Sequence, residues 1–161
     1  MGADNAGLRV AVIGMGQRSA IARHVAEATA DDPSLQARVV AVADVTAAGR
    51  DRGHDEYPDA LVVEHHRDLT GHVDAAIVTT PDWTHAEIAI DLLRAGIAVY
   101  LEKPLAITVE DADAVLNTAA ETGTPLYVGH NFRHAAVVRP RRSGGGPRPR
   151  PRAWSSRRTG R

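Results

Sequence analysis

Six short apolar runs, alternating with segments of helical character, limit what this chain can fold into. They are rich in valine, alanine, isoleucine and leucine. The runs are LRVAVIG (8–14), ARVVAVADV (37–45), ALVVEH (60–65), VDAAIVTT (73–80), IAVYLE (97–102) and PLYVGH (125–130). Apolar strands separated by helices form a parallel sheet that helices cover on both faces. We therefore predict an α/β fold with a doubly wound parallel sheet, which binds ligands at the carboxyl ends of its strands.

Three segments between these runs have a helical pattern of apolar residues. They are QRSAIARHVAEATA (17–30), THAEIAIDLLRAG (84–96) and TVEDADAVLNTAAETG (108–123). Thr84 and Glu87 are three residues apart and predict a capping box at the start of the second segment. Thr108 opens the third segment, and Gly123 predicts its end. The span from Thr46 to Tyr57 has no such pattern, and we predict it to be weakly helical at best.

Composition excludes several kinds of protein. At 161 residues the chain is long enough for one ordinary core, and it has no cysteine for disulfides or thiolate metal sites. No run reaches the length of a membrane-spanning helix, and the polar start is unlike a signal peptide, so we predict a cytoplasmic protein without membrane contact. His65, His66 and His72 lack the spacing of a helix-face pair, and we predict no metal site.

Charge divides the chain in two. Residues 1–138 carry ten basic and twenty acidic residues, whereas residues 139–161 carry nine arginines and no acid. The second part is rich in Pro and Gly and cannot bury enough apolar surface to offset the entropy of ordering. We predict a flexible N-terminus (1–7), one domain (8–138) and a disordered basic tail (139–161). The tail could bind nucleic-acid phosphates, but it has no motif for reading bases, and we expect no specific nucleic-acid partner.

The segment GMGQRS, which joins the first strand to the first helix, has the pattern of a dinucleotide-binding turn. Gly14 permits a tight turn, and Gly16 allows the backbone to approach a pyrophosphate at the helix N-terminus. Gln17 and Arg18 complete the predicted cofactor-binding turn, and Ser19 replaces the usual third glycine or alanine. Strand, glycines and helix in this order predict a Rossmann-type site. The alternative is a turn that only connects a strand to a helix.

Asp44 lies at the predicted end of the second strand. A carboxylate there accepts hydrogen bonds from the adenosine ribose hydroxyls and repels a 2′-phosphate. We therefore predict NAD as the cofactor, with NADP less favoured. Arg50 and Arg52 follow in a segment whose structure the sequence does not define. The alternative for Asp44 is an exposed loop aspartate.

The loop TTPDWTHAE (79–87) follows the fourth strand and should border the cofactor cleft. Pro81 stiffens the turn, and Trp83 and His85 could line the cleft near the nicotinamide ribose. Alternatively, a residue of this loop only caps the next helix, and His85 is exposed in its first turn.

Lys103 is the only lysine in the chain, against eighteen arginines, and it follows the fifth strand in the sequence EKP. A lysine amine can exchange a proton, whereas an arginine guanidinium effectively never does. A group that polarises a substrate hydroxyl or carbonyl beside a nicotinamide needs this property. We predict Lys103 as the catalytic residue, with Glu102 holding it and Pro104 fixing the following backbone. The alternative is a surface lysine retained by chance.

Together, RVAVIGMGQRSA, VVAVADV, VDAAIVTTPDWTHAEIAIDLLRAGIAVYLEKPLAIT and GTPLYVGHNFRHAAVV resemble the cofactor-binding half of the Gfo/Idh/MocA oxidoreductase family. The resemblance runs from about residue 8 to residue 138. It implies NAD(P)-dependent oxidation of a sugar or polyol carbon, with hydride transfer at the nicotinamide. On this resemblance Lys103 is catalytic and contacts the substrate. Gly14, Gly16 and Asp44 belong to the cofactor site; Thr80, Pro81 and His85 belong to its nicotinamide end; and Asn131 and Arg133 begin to face the substrate.

Members of this family have a second domain that supplies the substrate pocket, a partner acid and histidine, and the oligomer interface. The resemblance ends at residue 138, where the Arg- and Pro-rich tail begins. We expect the substrate domain to be missing here, and our hypothesis is that the sequence ends in a frameshift or a misassigned gene end. The sheet domain alone should then turn over little substrate, and the face left bare should lead to modest stability or to self-association. The alternative function is a dinucleotide-binding module without catalysis.

Overall fold

The computed structural model describes residues 7–32 and 36–129. The predicted tail, most of the predicted flexible N-terminus, and the candidate residues Asn131 and Arg133 lie outside these ranges. Within them, every helix is too short or too polar to cross a lipid bilayer.

Six parallel strands form one sheet, as the apolar runs predict. The strands are β1 (Arg9–Ile13), β2 (Arg38–Ala43), β3 (Leu61–Val63), β4 (Ala75–Val78), β5 (Ala98–Glu102) and β6 (Leu126–Gly129). The helices are α1 (Arg23–Asp31), α2 (Ala47–Glu56), α3 (His85–Arg94) and α4 (Val109–Thr122). The spatial strand order is β3-β2-β1-β4-β5-β6, so the direction of winding reverses between β1 and β4. The predicted doubly wound fold is therefore confirmed.

Two apolar clusters fill the core. Ala11 and Ile13 of β1 belong to a cluster with buried leucines and isoleucines of α3 and with Val115 of α4. Val10 and Val12 of β1 belong to a second cluster, with Ala22 before α1. Since successive residues of a strand face opposite sides of a sheet, the two clusters lie on its two faces.

The segment predicted to be weakly helical is a full helix, so that prediction is wrong. The Thr46 hydroxyl caps α2 by accepting a hydrogen bond from the Gly49 amide at 3.0 Å. The buried residues of α2 are Gly49 and Gly53, and a Cβ on Gly53 would lie only 2.9 Å from Val42 Cγ1. The two glycines thus let this helix lie close to the sheet. The prediction failed because it depended on a periodic pattern of apolar side chains, and the buried face of α2 consists of glycines.

The predicted capping box at α3 is also wrong. A 3₁₀ turn (Asp82–Thr84) precedes the helix and leaves Thr84 in a helical conformation, with φ −98° and ψ −10°. The Thr84 hydroxyl lies 2.7 Å from the Pro81 carbonyl oxygen, and Glu87 accepts a hydrogen bond from Arg67 at 2.9 Å. Thr108, in contrast, caps α4 as predicted, by accepting from the Asp111 amide at 3.1 Å.

An apolar groove of about 800 Å³ lies on one face of the sheet. Its walls include residues of β4, β5 and β6, and the stacked rings of Tyr100 and Tyr127 lie there with their centroids 5.5 Å apart. Exposed apolar surface of this kind is what the self-association prediction requires, and self-association stays a prediction.

Candidate functional site

The candidate site is a cavity of about 660 Å³ at the carboxyl ends of the central strands. It borders the point between β1 and β4 where the winding reverses, which is where open α/β sheets bind ligands. Ten of the site residues proposed from the sequence line it: Gly14, Gly16, Gln17, Arg18, Asp44, Thr80, Pro81, His85, Glu102 and Lys103. Residues that are far apart in the chain thus share one cavity.

The glycine turn is shaped by contacts with the strands beside it. Gly14 has a φ of +89°, and its amide donates to the Ala43 carbonyl at 2.9 Å. A Cβ on Gly14 would lie 2.9 Å from Thr80 Cγ2 and 3.0 Å from the Thr80 nitrogen. A Cβ on Gly16 would meet no atom within 4 Å. Gly14 is therefore required by the fold itself, whereas Gly16 faces open space, as a turn that admits a phosphate must.

Ser19, at the third position of the glycine motif, helps to close the turn. It is buried, and its hydroxyl donates to the Gly16 carbonyl at 2.8 Å. A short 3₁₀ helix (Ser19–Ala22) then leads into α1. The Ser19 hydroxyl thus forms a hydrogen bond within the glycine turn and does not cap the following helix.

The Asp44 carboxylate binds both the glycine turn and the start of α2. Its Oδ2 accepts from the Met15 amide at 2.7 Å, and its Oδ1 accepts from the Thr46 amide at 2.8 Å and hydroxyl at 2.7 Å. Partial burial raises the pKa of Asp44, but the hydrogen bonds from Thr46 and Met15 and the charge of Arg52 outweigh it, and the net pKa is lowered. Asp44 is therefore ionised at neutral pH and half-buried at the cavity wall, which contradicts the alternative of an exposed loop aspartate.

Glu102 does not hold Lys103, so that prediction is wrong. Only 3% of Glu102 is exposed, and its Oε2 accepts from Arg18 Nη1 at 2.7 Å. This ion pair joins the glycine turn to the end of β5, across 84 residues of sequence. A buried carboxylate needs such a partner, because an unpaired charge is costly to desolvate.

His85 is completely buried, and not exposed in the first turn of the helix as the alternative reading had it. Its Nδ1 lies 2.7 Å from the Pro104 carbonyl oxygen, and its Nε2 lies 2.9 Å from the Thr80 carbonyl oxygen. Trp83, two residues earlier, is 75% exposed at the cavity mouth. The loop therefore presents its indole to solvent and directs its imidazole into the protein.

Lys103 is exposed and follows the last residue of β5. The peptide bond between Lys103 and Pro104 is cis. The amine-bearing side chain lines the same cavity as the glycine turn and Asp44. The arrangement brings an exchangeable amine, an ionised carboxylate and the open space over Gly16 to one edge of the sheet.

Three contributors were not predicted from the sequence. Gly49 lies against the Asp44 carboxylate, Thr46 hydrogen-bonds it, and Arg52 Nε donates to the Met15 carbonyl at 2.8 Å. All three belong to α2 or its cap. A threonine two residues after the strand-end acid, with a glycine three residues after the threonine, is the signal that points to them.

The remaining histidines make other contacts. His66 Nε2 lies 3.0 Å from Asp91 Oδ2, which also accepts from Arg67 Nε at 2.7 Å. In the part of the chain that the structure describes, no group of three or more histidine, aspartate and glutamate side chains is arranged to hold a metal ion.

Comparison with known proteins agrees with this geometry. Residues 8–130 match the family described as an oxidoreductase family with an NAD-binding Rossmann fold. Inositol 2-dehydrogenase of Gluconacetobacter diazotrophicus is 36% identical over 101 residues, which are 60% of this chain and 30% of that protein. scyllo-Inositol 2-dehydrogenase (NADP(+)) of Bacillus subtilis is 36% identical over 80 residues, which are 48% of this chain and 22% of that protein.

A solved structure gives the same picture. The WlbA dehydrogenase of Bordetella pertussis, in complex with NADH and UDP-GlcNAcA, superposes with a TM-score of 0.72 at 26% identity. The match covers 82% of this chain and 39% of that one. The chain thus spans less than two fifths of the length of these relatives.

Proposed function

Because this chain belongs to the Gfo/Idh/MocA family of oxidoreductases with an NAD-binding Rossmann fold, we propose that it binds NAD and forms the cofactor-binding part of a dehydrogenase for a sugar or polyol. The observation that carries this proposal is the single cavity lined by both the glycine turn and Lys103. The names of the relatives, which include inositol dehydrogenases, support the substrate class.

The residues of the cavity fit a dinucleotide. The open space over Gly16 leaves room for a pyrophosphate beside main-chain amides. Asp44 Oδ2 accepts one hydrogen bond from the described residues, and a carboxylate oxygen can accept two, so it can also take a ribose hydroxyl. Because Asp44 is ionised, it would repel a 2′-phosphate. These features favour NAD over NADP.

Lys103 then acts at the reacting end of the cavity. A nicotinamide bound there would exchange a hydride with the substrate carbon. The Lys103 amine would hydrogen-bond the substrate oxygen, accept the hydroxyl proton as the carbon is oxidised, and donate a proton to the carbonyl oxygen as the carbon is reduced. An arginine would keep its proton, which explains why an arginine-rich chain has a lysine at this position.

Isothermal titration calorimetry with NAD⁺ and NADP⁺ tests the binding step. We expect NAD⁺ to bind and NADP⁺ to bind at least about tenfold more weakly, because each charge-assisted hydrogen bond lost at Asp44 costs about 1.5–3 kcal/mol. Absence of binding by either dinucleotide would refute the proposal. Tighter binding of NADP⁺ would refute the assigned role of Asp44 and leave the general function intact.

A dinucleotide-binding module without catalysis is the second candidate. It is favoured by the make-up of the cavity, where most of the residues proposed from the sequence are ones expected to hold the dinucleotide and Lys103 is the one predicted to be catalytic. Such a module needs the glycine turn and Asp44, which would hold the dinucleotide, but it does not need the Lys103 amine to move a substrate proton. We expect little or no NADH formation from NAD⁺ with inositol or common sugars, followed by absorbance. Robust turnover by this chain would contradict that expectation and exclude the module.

A further inference from the structure

His85 ties two segments that meet at the reacting end of the cavity. One is the turn after β4, through the Thr80 carbonyl oxygen at 2.9 Å, and the other is the segment after β5, through the Pro104 carbonyl oxygen at 2.7 Å. β4 and β5 are neighbours in the sheet, and their paired residues run to Val78 and Leu101. The imidazole therefore continues the connection beyond the end of the strand ladder.

This imidazole has no nitrogen left for a ligand. Carbonyl oxygens only accept hydrogen bonds, and each ring nitrogen lies within hydrogen-bond distance of one. A neutral ring donates to one of them and a protonated ring donates to both. His85 borders the cavity, but its side chain has no surface exposed to solvent and both ring nitrogens contact the protein, so we expect it to support the site from behind and not to bind the cofactor.

The segment that carries Lys103 has few other ties. Among described residues, no main-chain hydrogen bond outside the helices and strands involves Lys103, Pro104 or Leu105. Pro104 has no amide hydrogen to donate. Glu102, which could have held the lysine, is paired with Arg18. On the N-terminal side Lys103 follows Glu102, which pairs with Gly129 in the sheet, and on the C-terminal side the Nδ1 contact of His85 is the polar link to the next residue, Pro104.

We propose that His85 is a positioning residue that fixes Lys103 at the cavity through the Pro104 carbonyl. This inference rests on the proposed function, since it concerns the same site. It replaces the role of cofactor contact that the family resemblance implies for His85. The importance of the link follows from the general rule that reactive groups need a supporting layer of packed and hydrogen-bonded residues.

The two ring nitrogens can be tested one at a time. In His85→Asn the amide nitrogen can take the place of Nδ1 and keep the bond to Pro104. In His85→Gln it can take the place of Nε2 and keep the bond to Thr80. His85→Leu removes both donors and retains bulk. A control is His24→Gln, which changes an exposed histidine of α1 that contacts Glu27 and is not among the residues that line the cavity.

The readout uses the single lysine. The full chain is treated with limiting acetic anhydride, with and without saturating NAD⁺, and acetylation of Lys103 is measured by mass spectrometry relative to the α-amino group. In the natural sequence we expect NAD⁺ to slow acetylation of Lys103 at least about fivefold, because the ligand covers the cavity that the side chain lines. Calorimetry and urea unfolding are run on each variant in parallel.

We expect the His85→Asn variant and the His24→Gln control to keep this protection. We expect His85→Gln and His85→Leu to lose most of it while still binding NAD⁺. Equal protection in all folded variants would overturn the inference, as would loss in Asn together with retention in Gln. If NAD⁺ does not bind the natural sequence at all, calorimetry shows that the proposed function has failed first.

Discussion

Replacing Gly49 by alanine should weaken NAD⁺ binding about tenfold to a hundredfold, as expected for displacing a charged group that makes several hydrogen bonds. The Cβ of an alanine at this position would overlap the Asp44 carboxylate, which lies against Gly49 in the first turn of α2. The carboxylate would have to move away from the Met15 amide and from the place where a ribose hydroxyl would bind it. The preference for NAD⁺ over NADP⁺ should shrink together with the affinity.

The control for this substitution is Ala48→Gly, which changes the residue just before Gly49 in the same turn of α2. Ala48 is exposed, so its change affects only helix propensity. Alanine is favoured over glycine in a helix by about 1 kcal/mol, so Gly49→Ala should gain intrinsic helix stability and Ala48→Gly should lose it. If cofactor affinity followed helix propensity and fell only in Ala48→Gly, the contact between Gly49 and Asp44 would have no part in binding.

The strand-end acid and its helix illustrate what the sequence reveals and what it does not. Asp44 is predictable because it follows an apolar run after a glycine turn, a pattern local enough to recognise. The helix that holds Asp44 is not, because its inward residues are Gly49 and Gly53. Hydrophobic periodicity detects helices that bury large apolar side chains. This helix buries two glycines, which have no side chain and let its backbone approach the sheet.

The predictions at the reacting end failed for a different reason. The location of Lys103 follows from strand order, since the residue after any parallel strand lies at the same edge of the sheet. Glu102 and Pro104, on either side of Lys103, contact side chains that are distant in the sequence. Arg18 is 84 residues from Glu102, and His85 is 19 residues from Pro104. No local pattern encodes those choices, so the sequence indicated the residues of the site but not how they are linked.

The Arg18–Glu102 ion pair leads to the second large expected effect. Arg18→Met keeps much of the side-chain length, removes the charge, and leaves the buried Glu102 carboxylate without its partner. Removing one member of a buried pair costs about 3–5 kcal/mol, and because about half of the Arg18 side chain is exposed to water we expect about 2–3 kcal/mol here. Urea unfolding at neutral pH measures this loss.

A double-mutant cycle separates the ion pair from other roles of Arg18. In the Glu102→Gln background, Arg18→Met leaves no buried charge, so it should cost much less than it does alone. Arg23→Met is the control from the same segment, because the ion pair of Arg23 with Glu56 is long at 3.9 Å and more exposed, and such pairs contribute about 0–1 kcal/mol. Equal costs of Arg18→Met in both backgrounds would mean that the two residues are not coupled.

The same double variant tests whether Arg18 is a direct cofactor ligand. If Arg18 serves chiefly to neutralise Glu102, the double variant should fold and bind NAD⁺ with nearly natural affinity, since the glycine turn and Asp44 are unchanged. If Arg18 instead contacts the cofactor, binding should stay weak in both backgrounds even when stability is restored. Comparing the NAD⁺ affinity of the double variant with that of the natural sequence therefore distinguishes an arginine that supports the turn from one that binds the dinucleotide.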